Sequence, residues 1–244
     1  MHSVFRTLFP TLFKAVVMKG FVTGILVSTP KRVKDLGTQI KLLKPQVDVL
    51  YVILNGYDAV PETVVGLPIV IVWNPVDALF ACAVWPVVDK LDGYVVLFDD
   101  DIFYPPDYVQ VMISTIDKYD RRCVACVHAF KPVDKAIYFW KEVKHDMVVD
   151  VAGCGTVAFH TGTIKPKLSD FDHYFLRDLG FSILCRSRGI DIINVGRAAN
   201  WLHYLSKVKE EDAALCKRVR ANPEMWKARK LLVAKLKAMC NESV

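Results

Sequence analysis

Tyr94-Val95-Val96-Leu97-Phe98 runs without interruption into Asp99-Asp100-Asp101. An apolar run of this length has the span of a strand, and apolar character at every position is what a strand covered on both faces requires. Three adjacent carboxylates at its end repel one another, so the arrangement is unfavourable unless a cation neutralises it. A hard divalent cation with oxygen ligands does so, and it can bridge the two phosphates of a nucleotide and stabilise a leaving diphosphate. Alternate residues of an extended chain share a side, which predicts that Asp99 and Asp101 converge while Asp100 turns away.

The surrounding chain alternates strand and helix. Phe21–Ser28 is an apolar, β-branched run, and Thr29-Pro30 after it opens a helix over Lys31–Leu43 with Val33, Leu36, Ile40 and Leu43 on one face. Strands are expected at Val49–Leu54, Pro68–Val72, Tyr94–Phe98 and Cys123–Val127, with helices over Val76–Lys90 and Pro105–Tyr119. This pattern predicts an α/β fold, with a Rossmann-like, mostly parallel sheet flanked by helices. In such sheets ligands bind beyond the carboxyl ends of the strands, where the three aspartates fall. Later segments predict strands at Val148–Val151, Val157–His160 and Asp191–Val195 and a helix over Leu176–Arg188, with the glycine loop Gly153-Cys154-Gly155-Thr156 between two of the strands. Beyond Trp201 the chain reads as helical, basic and broken at Asn222-Pro223.

These boundaries give an N-terminal helical extension (1–20), a central domain (21–206, divided into 21–127 and 128–206) and a basic helical tail (207–244). The extension carries apolar doublets four apart but is interrupted by Arg6, Pro10 and Lys14, which suits a packed helix or a membrane-surface anchor. Met18 is an alternative start. Hydrophobic residues make up 53% and charged residues 24%, the balance of a globular chain, and no apolar run approaches the ~20 residues that span a membrane. Seven cysteines without paired metal spacing read as reduced core thiols, which points to a cytoplasmic setting. After Ser206 ten basic residues stand against five acidic ones, leaving only +1 of the net +6 for the rest of the chain. A solvated helix face or an anionic partner, nucleic acid or membrane surface, accounts equally for such a tail.

The run Leu97-Phe98-Asp99-Asp100-Asp101-Ile102-Phe103-Tyr104-Pro105-Pro106-Asp107-Tyr108 resembles the D-x-D segment of bacterial and phage-type GT-A glycosyltransferases. Ser28-Thr29-Pro30-Lys31-Arg32-Val33, Pro45-Gln46-Val47-Asp48 and Leu54-Asn55 resemble their nucleotide-binding half. Gly153 to Phe159 resembles the glycine loop that faces the donor sugar. The similarity runs in order from about Phe21 to His203.

The resemblance implies a nucleotide-sugar donor, a UDP-sugar first among them, and a divalent metal, Mn2+ or Mg2+. It places Thr29, Pro30, Arg32 and Asn55 beside the nucleoside, with Asp77 also at the nucleotide. Asp99 and Asp100 fall at the donor, and Gly153, Gly155 and Thr156 at the sugar. Asp99, Asp101 and His203 would be the metal residues. Asp178 occupies the position of a general base that takes a proton from the acceptor hydroxyl. Relatives often carry Asp-Ala-Gly-Lys before the D-x-D strand, whereas this chain reads Asp77-Ala78-Leu79-Phe80, so the donor-contacting Lys is missing. The implied reaction is hexosyl transfer to an acceptor hydroxyl, on a hydroxymethylated DNA base or on a surface glycan, in the cytoplasm, in a phage host's cytoplasm, or at an anionic membrane surface. The alternatives are a nucleotidyltransferase, which would normally show a glycine-rich phosphate loop after the first strand, and a non-catalytic nucleotide- or DNA-binding protein.

Overall fold

The computed structural model describes residues 20–74, 80–131, 137–139, 142–205 and 221–241. In the first half, β1 (Val22–Ser28), α1 (Val33–Leu43), β2 (Val49–Asn55), β3 (Val70–Asn74), α2 (Trp85–Val88) and β4 (Tyr94–Asp99) follow in order. After the aspartates come β5 (Ile102–Phe103), α3 (Tyr108–Lys118) and β6 (Cys123–Cys126), then the short strands β7 (Ala129–Lys131), β8 (Ile137–Phe139), β9 (Met147–Val149) and β10 (Val151–Ala152). β11 (Val157–His160), α4 (Arg177–Ser187), β12 (Asp191–Asn194), β13 (His203–Tyr204) and α5 (Pro223–Asn241) complete the series.

Eight strands form one sheet in the order β3-β2-β1-β4-β11-β6-β12-β9. The first four are mutually parallel and β12 is parallel to β6, while β11 and β9 run antiparallel to their neighbours. Side chains of β4 alternate between two cores: Tyr94, Val96 and Phe98 meet α1 and α3 on one face, and Val95 and Leu97 meet Trp85, Val88 and Phe181 on the other. Both faces are covered, which is why no position of the strand before the aspartates tolerates a polar side chain. The fold is α/β, a mostly parallel sheet flanked by helices and followed by a C-terminal helix.

Several expectations are corrected. The strand expected over 148–151 splits at Asp150 into β9, at the edge of the main sheet, and β10, which joins β7 and β8 in a separate three-stranded sheet. The helix expected over 76–90 is a 3-10 turn at Phe80–Val84 followed by the single turn of α2; residues 76–79 lie outside the described residues. α3 begins at Tyr108, where its N–H closes a turn on the Pro105 carbonyl (3.0 Å). Residues 1–19, Asp77 and 206–220 also lie outside the description, so the expected N-terminal helix and the first half of the tail do too.

The second half of the tail is α5. Asn222 Oδ1 accepts hydrogen bonds from Glu224 N (3.0 Å) and Met225 N (3.1 Å), and Pro223 takes the first helical position, so the sequence break is a helix start. Ala228 and Leu236 on α5 are buried against Leu176, Leu179 and Ile183 around α4 and against Val151, while Lys227, Lys230 and Lys235 stay exposed. Leu236→Ala is expected to lower stability by about 3 kcal/mol, the usual cost of a leucine-sized hole, read as a reduced midpoint in urea. No described helix is long and apolar enough to cross a membrane.

Candidate active site

In the order β3-β2-β1-β4 the chain builds outward from β1 to one side and then returns to its other side. The gap between the carboxyl ends of β1 and β4 is therefore a topological switch point, where open α/β sheets bind ligands. Val27 and Asp99 are paired across it. The β1 end continues through Thr29 into the 3-10 turn Pro30–Arg32, and the β4 end continues into the aspartates.

The three carboxylates take three directions. β4 ends at Asp99 and residues 100–101 form a turn, so the alternation of an extended strand does not extend to them. Asp100, expected to turn away, instead reaches across the switch point: Oδ2 accepts from Thr29 N (3.2 Å) and Oδ1 lies 4.0 Å from Arg32 Nε. Asp99 Oδ1 pairs with Arg177 Nη2 at 3.1 Å, an ion pair between the end of β4 and the first residue of α4. Asp101 Oδ1 is buried and has no hydrogen-bond partner. Burial pushes the Asp100 carboxyl up to about 6, with Asp99 adding to the rise against the hydrogen bonds from Ser28 and Thr29. Burial, then the charges of Asp99 and Asp100, push Asp101 up to about 7. An ionised carboxylate with an unsatisfied buried oxygen is what a hard cation relieves, so the residues present fit a divalent metal at Asp101.

The glycine loop closes over Asp99. A Cβ built on Gly155 would overlap the Asp99 carboxylate, so only glycine allows this approach. Tyr104 locks the two together: its hydroxyl accepts from Asp99 N (2.8 Å) and donates to the Gly155 carbonyl (2.5 Å). Gly155→Ala is expected to displace Asp99 from Arg177 and to lower the melting temperature, because the added methyl group meets the Asp99 carboxylate. Melting curves of the parent and the variant check it.

The same loop reaches the other predicted residues. Thr156 Oγ1 donates to Gly153 O (3.0 Å) and accepts from His128 N (2.8 Å), while Gly153 N donates to His128 O (2.7 Å). Asp178, half-buried one residue beyond Arg177, accepts from Cys154 N through Oδ1 (3.0 Å). Burial raises its pKa, while Arg177 opposes the rise. Asn55, buried at the end of β2, accepts from Asn74 Nδ2 (2.7 Å), and the 53% exposed Trp73 donates to Tyr57 O (2.8 Å).

His203 is exposed and stacks on Phe103 at 4.8 Å in the β5–β13 ribbon. The ribbon is tied to the aspartate turn by Leu205 N donating to Asp101 O (2.9 Å). Asp99, Asp101 and His203 do not assemble into a three-residue ligand cluster, and no such group of His, Cys, Asp and Glu occurs among the described residues. Sequence reasoning missed Arg177, Tyr104 and Tyr57. Tyr57 donates to Thr29 O (2.7 Å) and contacts Ser28 Oγ (3.0 Å), which fixes the β1 end. The one available signal for Arg177 was its position immediately before the candidate base.

Fold and geometry together define an α/β protein with an acidic cluster at its topological switch point. No family model and no curated protein matches the chain. A solved structure described as that of a mycobacterial protein superposes with a TM-score of 0.51 at 17% identity, covering 72% of this chain and 65% of that one. A second, GalNAc-T7 with UDP, GalNAc and Mn2+, gives a TM-score of 0.48 at 8% identity over 72% of this chain and 42% of that chain. The chain therefore spans less than two thirds of either, and the likeness is one of fold.

Proposed function

We propose that the protein is a metal-dependent glycosyltransferase of the GT-A type, moving a sugar from a nucleotide-diphosphate donor, a UDP-sugar first among them, to an acceptor hydroxyl. The observation that carries this reading is the buried, unsatisfied Asp101 oxygen at the switch point, beside an Asp99 that only a glycine loop accommodates. Thr29, Pro30, Arg32 and Asn55 line the ends of β1 and β2, where a nucleoside would lie. Asp101, with Asp99, would hold Mn2+ or Mg2+, which supplies charge neutralisation for the departing diphosphate. Arg177 holds Asp99 in register with the glycine loop, and Tyr104 fixes the loop. Asp178, anchored by one oxygen to Cys154, would use the other to take the acceptor proton as the acceptor oxygen displaces the diphosphate, a direct displacement that inverts the anomeric carbon.

The exposed lysines of α5 suit an anionic surface, in DNA or at lipid heads. The direct test is incubation with Mn2+ and a panel of nucleotide sugars, followed by assay of released nucleoside diphosphate with and without chelator. Release that needs metal supports the reading. Pyrophosphate released from a nucleoside triphosphate and a sugar phosphate would replace it with nucleotidyl transfer.

A further inference from the structure

Tyr204 stands at the rim of this site and has no role in the reaction as derived so far. It pairs with Ile102 across the β5–β13 ribbon, and the next residue, Leu205, donates to the Asp101 carbonyl (2.9 Å). Its ring stacks on His128 at 5.3 Å with an interplanar angle of 23°, and its hydroxyl lies 3.4 Å from His128 Nδ1. His128 is buried and bonded to both ends of the glycine loop, through Gly153 N and Thr156 Oγ1. A continuous series of contacts thus runs from Tyr204 through His128, Gly153 and Cys154 to Asp178. Tyr204 is nevertheless 38% exposed, an aromatic ring kept partly in solvent, joined on one side to the aspartate turn and on the other, through His128, to the glycine loop that Asp178 anchors.

We propose that Tyr204 is the platform on which a pyranoside acceptor stacks, so that the acceptor is a glycan and not a base in DNA; this rests on the transferase reading above. The negative face of an aromatic ring attracts the C–H edges that one face of a pyranose presents. A single supported ring suits that one-sided contact. A base extruded from DNA is held differently, in a snug pocket that stacks it between side chains. The ribbon that carries Tyr204 is also joined to the aspartate turn through Leu205 N and Asp101 O, and three consecutive carboxylates beside it disfavour a DNA backbone there.

The probes are p-nitrophenyl hexopyranosides and, against them, an oligonucleotide carrying 5-hydroxymethylcytosine. Saturation-transfer NMR reads glycoside binding without donor turnover, and transfer from the nucleotide sugar is measured separately. We expect the glycosides to bind, Tyr204→Ala to weaken binding and raise the acceptor KM about 10-fold or more, and Tyr204→Phe and Tyr204→Trp to stay within about threefold of the parent. Tyr204→Phe loses the hydroxyl contact to His128 Nδ1 but keeps the stacked ring, so its retention identifies the ring face as the binding element. Melting curves for each variant check that the ribbon is intact. Glycosides that fail to bind, or that bind Tyr204→Ala equally well, overturn the proposal, as does transfer to the oligonucleotide alone. Tyr204-dependent binding with no donor turnover supports the platform and overturns the transferase reading instead.

Discussion

Asp101→Asn is expected to abolish metal-dependent transfer while raising the melting temperature of the metal-free protein at pH 8. Both effects have one cause. Burial and the neighbouring Asp99 and Asp100 push Asp101 up to about 7, with Arg32 only partly compensating. The folded state therefore holds a proton, between roughly pH 4 and 7, that the unfolded state has already lost. For such a raised carboxylate the contribution to stability falls as pH rises and is least favourable above the folded value. Removing the charge should then stabilise the fold by on the order of 2 kcal/mol at pH 8 and by little at pH 4. Mn2+ should reverse the comparison, stabilising the parent at pH 8 and leaving Asp101→Asn unmoved, because a ligand raises the melting point only of a form that binds it. Asp99→Asn should be severe but less complete, since Asp99 is held by Arg177 as well. Full activity of Asp101→Asn in a chelator would remove the metal from the mechanism.

The site was legible in the sequence where local pattern decides structure. β1, β2 and β4 fall within a residue of their expected limits because both faces of these strands are largely buried and most of their positions are apolar. Their carboxyl ends, and with them Thr29, Asn55 and Asp99, follow from that alone. What was illegible depends on contacts between distant segments. Asp100 bonds to Thr29 across 71 residues and Arg177 to Asp99 across 78, and neither spacing leaves a periodic trace. The ribbon of β5 and β13 is two residues long on each side, too short for alternation to register. Asp150 divides an apolar run that period alone would join, since the two pieces pair with different sheets.

Asp178→Asn is expected to cut turnover by about 100- to 10,000-fold, the scale of a lost general base, with donor affinity little changed. The side chain is half-buried and its raised pKa is due first to that burial. A base works only when ionised, so the parent's rate should climb with pH through the raised value of this carboxyl. In Asp178→Asn this limb should disappear from what activity remains. The substitution is nearly isosteric, and the Asn oxygen can still accept from Cys154 N–H, so the glycine loop keeps its anchor. A structural role for Asp178 therefore predicts a small rate loss with an unchanged pH profile, whereas a proton-accepting role predicts a large loss and a flattened one. The stereochemistry of the product gives an independent reading, because a single displacement by the deprotonated acceptor inverts the anomeric carbon. A retained configuration with unaltered turnover in Asp178→Asn would move the chemistry off this carboxylate. Asp178 would then be left to hold the loop at Cys154.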